Sequence, residues 1–206
     1  MGLAVLNLVD FEAPGDAAAA IGGGSTAALP AGVEVRHLKR IPDERGDLTE
    51  VFRETWCVGA QPVQWNLMRS RPGVLRGVHV HWRHEDYLVP VTGPMWLALK
   101  DIRPESSTCG AACELDLHGD RAVAVKVPPG VAHGFYFASE SVFLFGVSSY
   151  WDTHDELECA WNEPELGFGW TPLADAAPVL SPRDARTGSL AEMTAEWRRR
   201  TLAGRG

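Results

Sequence analysis

What this chain lacks narrows its function before any motif is considered. It has no excess of basic charge: 19 Lys and Arg stand against 27 Asp and Glu, a formal charge of −8. A nucleic-acid binder needs a basic face to neutralise phosphates, so that class is excluded. The one dense basic run, "EWRRRTLAGRG", reads as the solvated end of a helix. No apolar stretch approaches the roughly 18 residues that span a bilayer. The opening "MGLAVLNLVDFEAPGD" has acids where a secretory leader has bases. We therefore expect no membrane partner and a cytoplasmic setting. Nor is there a C-x-x-C pair among Cys57, Cys109, Cys113 and Cys159. Nothing in the cysteine pattern argues for zinc, and it suits reduced thiols, with Cys109 and Cys113 expected as surface positions. Internal repeats are absent, and no long helical period occurs between residues 33 and 150.

What is present suits one packed domain with tails: 206 residues, 45% hydrophobic and 22% charged. The stretch "FEAPGDAAAAIGGGSTAALPAG" is Ala/Gly-rich, so residues 1–32 are expected to be a flexible segment. From "GVEVRHLKRI" onward the pattern is short and strand-like. "LTEVFRE", "VQWNLMRS", "VLRGVHVHW", "DYLVPVTG", "MWLALKDI", "RAVAVKVPPG", "AHGFYFA" and "SVFLFGVSSYW" all qualify. The breaks contain "RPG", "TGP", "RPESSTCG", "LHGD" and "PPG". Strands at this spacing predict a mainly β domain over 33–185, an antiparallel sandwich or jelly roll. Over 186–206 the sequence predicts a helical tail carried by "SLAEMTAEWRRR".

The chemistry concentrates in "RGVHVHWRHEDY", residues 76–87. On a strand, side chains at i and i+2 share a face, so His79 and His81 point the same way. Glu85 follows, and "VPPGVAHGF" supplies His133 after a Pro-Gly turn. Such residues can hold a metal, move protons, or simply decorate a strand edge. Imidazole and carboxylate suit Fe, Mn, Ni, Cu or Zn, so donor chemistry alone does not choose a metal.

The spacing of these residues resembles the cupin superfamily. Gly73, His79, His81, Glu85 and Gly93 follow its first motif, and Pro128, Gly130 and His133 its second. In metal cupins the matching positions, here His79, His81, Glu85 and His133, bind a divalent transition metal. A longer stretch, residues 43–184, resembles one branch, the dTDP-4-dehydrorhamnose 3,5-epimerase family. "DERGDLTE", "VQWNLMRSRPGVLRGVHVH", "DIRPESSTCG", "VPPGVAHGF", "YWDTHDELECAWNEPELGFGW" and "LSPRD" match its segments in order.

That resemblance implies a cupin-type jelly roll acting without a cofactor on a 4-keto-6-deoxyhexose carried by a nucleoside diphosphate. A ketone acidifies the neighbouring C–H groups, and a histidine base can remove one. The resemblance makes His79 that base and Asp184 the carboxylate that orients it. It places Arg45 and Arg76 at the diphosphate, where guanidinium suits bidentate contact. Glu50, Gln64, Asn66 and His133 fall at nucleotide- or sugar-facing positions. Tyr150 or Trp151 falls where an aromatic stacks on the base. A homodimer is implied, because a neighbouring subunit's arm completes the family's site.

Three positions depart from the pattern. Phe145 stands at the family's acid tyrosine and has no hydroxyl to donate. Asp86 stands at its lysine, where a carboxylate would repel an enolate. His81 replaces its glutamine. Together they keep other readings open: a metal-dependent cupin enzyme, a sugar 3,4-ketoisomerase (whose R-G-x-H-x-H motif also matches), or a non-catalytic sugar-nucleotide-binding module. Each residue also has a structural alternative. Arg45 and Arg76 could form surface ion pairs, Trp151 could be a core aromatic, and Asp184 could cap the C-terminal helix.

Overall fold

Short apolar-rich strands build two facing sheets in the computed structural model, which describes residues 5–7, 29–56, 59–173, 177–186 and 188–203. The strands are β1 (Val5–Asn7), β2 (Glu34–His37), β3 (Arg40–Asp43), β4 (Gly46–Thr49), β5 (Gln64–Ser70), β6 (Val74–His81), β7 (Asp86–Thr92), β8 (Pro94–Asp101), β9 (Ala112–His118), β10 (Val123–Val127), β11 (Val131–Phe137), β12 (Ser141–Val147) and β13 (Glu156–Glu158). One sheet has the order β1-β9-β8-β11-β6-β13 and the other β2-β10-β7-β12-β5. All neighbours are antiparallel except β1 and β9, which run parallel. This is the expected mainly β jelly roll with a short C-terminal helix.

Leu97, Leu99, Leu115 and Leu117 of one sheet meet Leu88, Val123, Val125 and Phe143 of the other in the central core. The outer face of the first sheet is covered too. Leu75, Val78, Val80 and Tyr136 pack under Trp170, Leu173 and the helix α1 (Leu190–Ala203). Leu190, Met193 and Trp197 of α1 are buried. Ser189 and Glu192 start this helix with a reciprocal capping box, at 3.2 Å for Glu192 N–H to Ser189 Oγ and 2.8 Å for the return bond. Asp184 is therefore not its cap. Glu196 pairs with Arg199 and Arg200 on the exposed side, so the basic run is the solvated helix face expected of it.

Several local expectations change. "ACELDLH" forms β9, although it sits between turn-like segments and carries Glu114 and Asp116. Its Cys113, Leu115 and Leu117 alternate into the core, so Cys113 is buried and not a surface thiol. Glu114 is fully buried because it accepts the Trp170 backbone N–H at 2.7 Å. "LTEVFRE" is strand only to Thr49. It forms a projecting hairpin with β3, and Glu54–Trp56 is a single tight turn. Within the Ala/Gly-rich leader, Val5–Asn7 pairs with Glu114–Asp116; residues 1–4 and 8–28 lie outside the described residues, as does Cys57.

Candidate active site

β6 carries the first functional side chains, and a backbone irregularity aims them. On β6, Val74 and Arg76 face the space between the sheets, while Leu75 faces α1. Two-residue periodicity would then turn His79 outward. Instead the register against β11 pairs Arg76 with Phe135 but His79 with His133, so β6 holds one extra residue at Gly77–Val78. That bulge reverses the phase, and Arg76, His79 and His81 all point inward. Glycine is required there: φ is +114°, and a Cβ would lie 2.8 Å from Gly134 Cα and 2.9 Å from His133 O.

These side chains line a cavity of about 370 Å³ between the sheets. Its walls are Met68, Leu88, Phe135, Phe143, Phe145 and Val147. Arg76, Gln64, Asn66 and Trp151 also line it. Arg76 Nε donates to Ser70 Oγ at 3.1 Å. Gln64 Nε2 donates to Asn66 Oδ1 at 2.9 Å, and Gln64 Oε1 accepts the Trp151 backbone N–H at 3.0 Å. Asn66 Nδ2 is a buried donor with no partner among the described residues.

His79 lies between two carboxylates. Its Nε2 is 2.8 Å from Asp184 Oδ1 and its Nδ1 is 3.0 Å from Glu156 Oε1. Asp184 is held by a local turn: Ser181 Oγ donates to its Oδ2 at 2.8 Å and accepts its backbone N–H at 3.0 Å. Glu156 also receives Arg183 Nη1 at 2.6 Å, and Arg183 Nε reaches Glu158 at 2.5 Å. Burial opposes charge on His79, but the Asp184 and Glu156 bonds and their charges outweigh it and raise its pKa to about 9. Burial likewise opposes ionisation of Glu156, yet His79, His81 and Arg183 hold it well below the usual carboxylate range. In its resting state His79 is an imidazolium with both ring nitrogens engaged.

A second group of buried residues lies in the same cavity. Asp86 Oδ2 is 3.3 Å from both His81 Nε2 and His133 Nε2. Its other oxygen is 3.5 Å from His84 Nε2, and His84 Nδ1 is 2.5 Å from Asp155. Burial lowers the pKa of His81 to about 4 and lowers that of His133. His84 goes the other way, to about 9: burial opposes its charge, but Asp155 and Asp86 prevail.

The structure thus gathers most of the expected site but not all of it. His79, Asp184, Gln64, Asn66, Arg76 and His133 line one cavity. Glu85 does not. Asp86 begins β7 facing inward, so Glu85 turns outward, where Lys126 and Glu34 are its charged neighbours. The quartet His79, His81, Glu85 and His133 is therefore not assembled. Tyr150 is 77% exposed and off the cavity; Trp151, tied by its N–H to Gln64, is 49% exposed and lines it. Arg45 and Glu50 belong to the projecting hairpin segment, where they pair with Asp43 and Arg53 and do not reach this cavity. Glu156, Arg183 and Asp155 were missed in the sequence, and His84, which the sequence allowed as a partly exposed polar residue of a strand edge, is buried. The E-x-E alternation of β13 and the arginine beside Asp184 were the available signals.

Comparison with known proteins identifies the family and the fold. Residues 28–192 match the sequence profile of the family described as dTDP-4-dehydrorhamnose 3,5-epimerase. An enzyme of that name from Pseudomonas aeruginosa is 37% identical over 158 residues, covering 73% of this chain and 86% of its own. The dTDP-6-deoxy-D-glucose-3,5-epimerase of Legionella pneumophila, solved in complex with dTDP-4-keto-L-rhamnose, superposes with a TM-score of 0.74 at 29% identity, covering 80% of this chain and 91% of that one. ChmJ of Streptomyces bikiniensis, a 3'-monoepimerase solved with dTDP-quinovose, gives 0.72 at 27% identity, covering 81% and 87%.

Proposed function

The chain belongs to the dTDP-4-dehydrorhamnose 3,5-epimerase family, and from that premise we propose that it inverts a carbon next to the ketone of a dTDP-4-keto-6-deoxyhexose. The observation that carries the reading is the His79–Asp184 dyad, 2.8 Å long, inside a cavity large enough for a sugar. Nε2–H stays on Asp184, which fixes the ring orientation and supports its charge. In the neutral form of His79, after Nδ1 has released its proton to solvent and Glu156 has moved off it, Nδ1 takes the proton from C3 or C5. Arg76 meets the diphosphate, Gln64 and Asn66 bond the sugar or nucleotide, and Trp151 stacks on the base. Among the described residues no tyrosine lines the cavity. The returning proton therefore comes from water.

The working form is a homodimer. Leu67 of edge strand β5 and Leu48 of the β3–β4 hairpin are 57% and 60% exposed, an apolar surface that a second copy would cover. On that hairpin segment Arg45 and Glu50 would reach the partner's cavity. Among the described residues no helix is long and apolar enough to cross a membrane. The setting that goes with free Cys109, Cys113 and Cys159 is the cytoplasm.

The test is solvent deuterium incorporation into dTDP-4-keto-6-deoxyglucose. The wild-type protein exchanges at C3 or C5, and His79→Gln slows exchange by about 10²- to 10⁴-fold. No exchange at either carbon in the wild-type protein refutes the assignment.

A further inference from the structure

We propose that His81, Asp86 and His133 bind one divalent transition-metal ion in the wall of this cavity, apart from the His79 dyad. Their ligand atoms lie within 4.8 Å of one another. Each imidazole Nε2 is 3.3 Å from the same carboxylate oxygen, Asp86 Oδ2. The His133 proton position makes its side of this arrangement unfavourable without a cation. His133 Nδ1 faces the Val131 carbonyl at 3.1 Å, and a carbonyl only accepts, so the ring proton sits on Nδ1. That leaves the Nε2 lone pair directed at a carboxylate oxygen, acceptor against acceptor. Asp86 is 4% exposed, and its Oδ2 has no aligned hydrogen-bond donor among the described residues. A buried carboxylate oxygen without a donor is costly, and a cation shared with two imidazole nitrogens removes the cost.

The surroundings are built for the same end. His84, backed by Asp155, faces the other Asp86 oxygen and turns Oδ2 toward the two rings, as outer carboxylates and histidines do around metal ligands. Two imidazoles and one carboxylate select Fe(II), Mn, Co, Ni or Zn over the all-oxygen preference of Ca or Mg. The residues suggested by cupin spacing are not available: both His79 nitrogens are taken by carboxylates, and Glu85 faces away. All three ligand side chains line the cavity. The metal would meet the sugar there, an identification that rests on the epimerase reading; the site itself does not depend on it.

The experiment uses full-length protein stripped with chelator and titrated with Co(II), read by visible absorption, and with Zn(II), read by calorimetry. One equivalent binds per chain. Asp86→Asn, and separately His133→Gln, weakens binding by about 100-fold or more, while Glu85→Gln and His79→Gln leave it intact. Failure of the folded wild-type protein to bind either ion overturns the proposal. So does binding that survives Asp86→Asn or is lost in Glu85→Gln. Deuterium exchange measured in both stripped and cobalt-loaded protein separates the two claims: exchange without cobalt binding sinks the metal site alone, and cobalt binding with no exchange in either form supports the site while removing the epimerase assignment.

Discussion

Replacing Glu156 with Gln separates the base from the group that restrains it. Glu156 Oε1 lies 3.0 Å from His79 Nδ1, the nitrogen that must be free to accept a substrate proton. With the His79 pKa at about 9, roughly 1% of the protein carries neutral His79 near pH 7. Glu156→Gln keeps the shape and removes the charge. A fall of about one pKa unit, near 1.4 kcal/mol, makes the neutral fraction roughly tenfold larger at that pH. A weaker base is also slower, so the high-pH plateau drops while the acid limb moves down. The assay is deuterium incorporation, kcat/KM against pH, in chelator-treated protein. The expected profile for Glu156→Gln has its acid limb at least one unit lower and a faster rate near neutrality. An unmoved limb refutes Glu156 as the restraint. Loss of exchange at every pH refutes His79 as the base and makes Glu156 the acceptor, with His79 its cationic partner.

Asp184→Asn should leave the fold intact by circular dichroism and lower exchange by about 10²- to 10⁴-fold, because the ring loses both its tautomer and its charge partner; a change under threefold contradicts the dyad. Gly77→Ala should cost about 3 kcal/mol in urea unfolding, since the new methyl meets Gly134 Cα at 2.8 Å at positive φ, and an unchanged midpoint would show that the bulge is not required. Stability should also depend on pH through His79. Its folded pKa, about 9, exceeds the unfolded 6.5, so its contribution is complete below about pH 6.5 and is lost as pH rises through 9. The slope is about 1 kcal/mol per unit in that window, and Glu156→Gln should flatten it.

The stretch around residues 76–87 shows where sequence reading succeeds and where it stops. His79 and His81 share a face because alternation is a local property of any strand. Arg76 shares that face only because Gly77 and Val78 form a bulge, which is a consequence of pairing with β11. One residue of phase at the start of β7 put Asp86 in the cavity and Glu85 outside it, reversing the assignment that motif spacing suggested. β9 escaped notice because Glu114 reads as a loop residue until Trp170 is there to donate to it.

By itself, then, the sequence determined the strand periods, the break positions and the apolar face of α1, and through the family resemblance it pointed to His79 and Asp184 as a candidate base and its partner. Each is written in neighbouring residues or in a motif of fixed order. The tertiary structure alone decided which charges surround that base. Glu156 and Asp184 lie far along the chain from His79, and their distances to it, 3.0 and 2.8 Å, are set by how β13 and the 177–186 segment lie against β6. Whether His79 rests neutral or protonated depends on those distances, because the interaction of buried charges varies steeply with separation and desolvation.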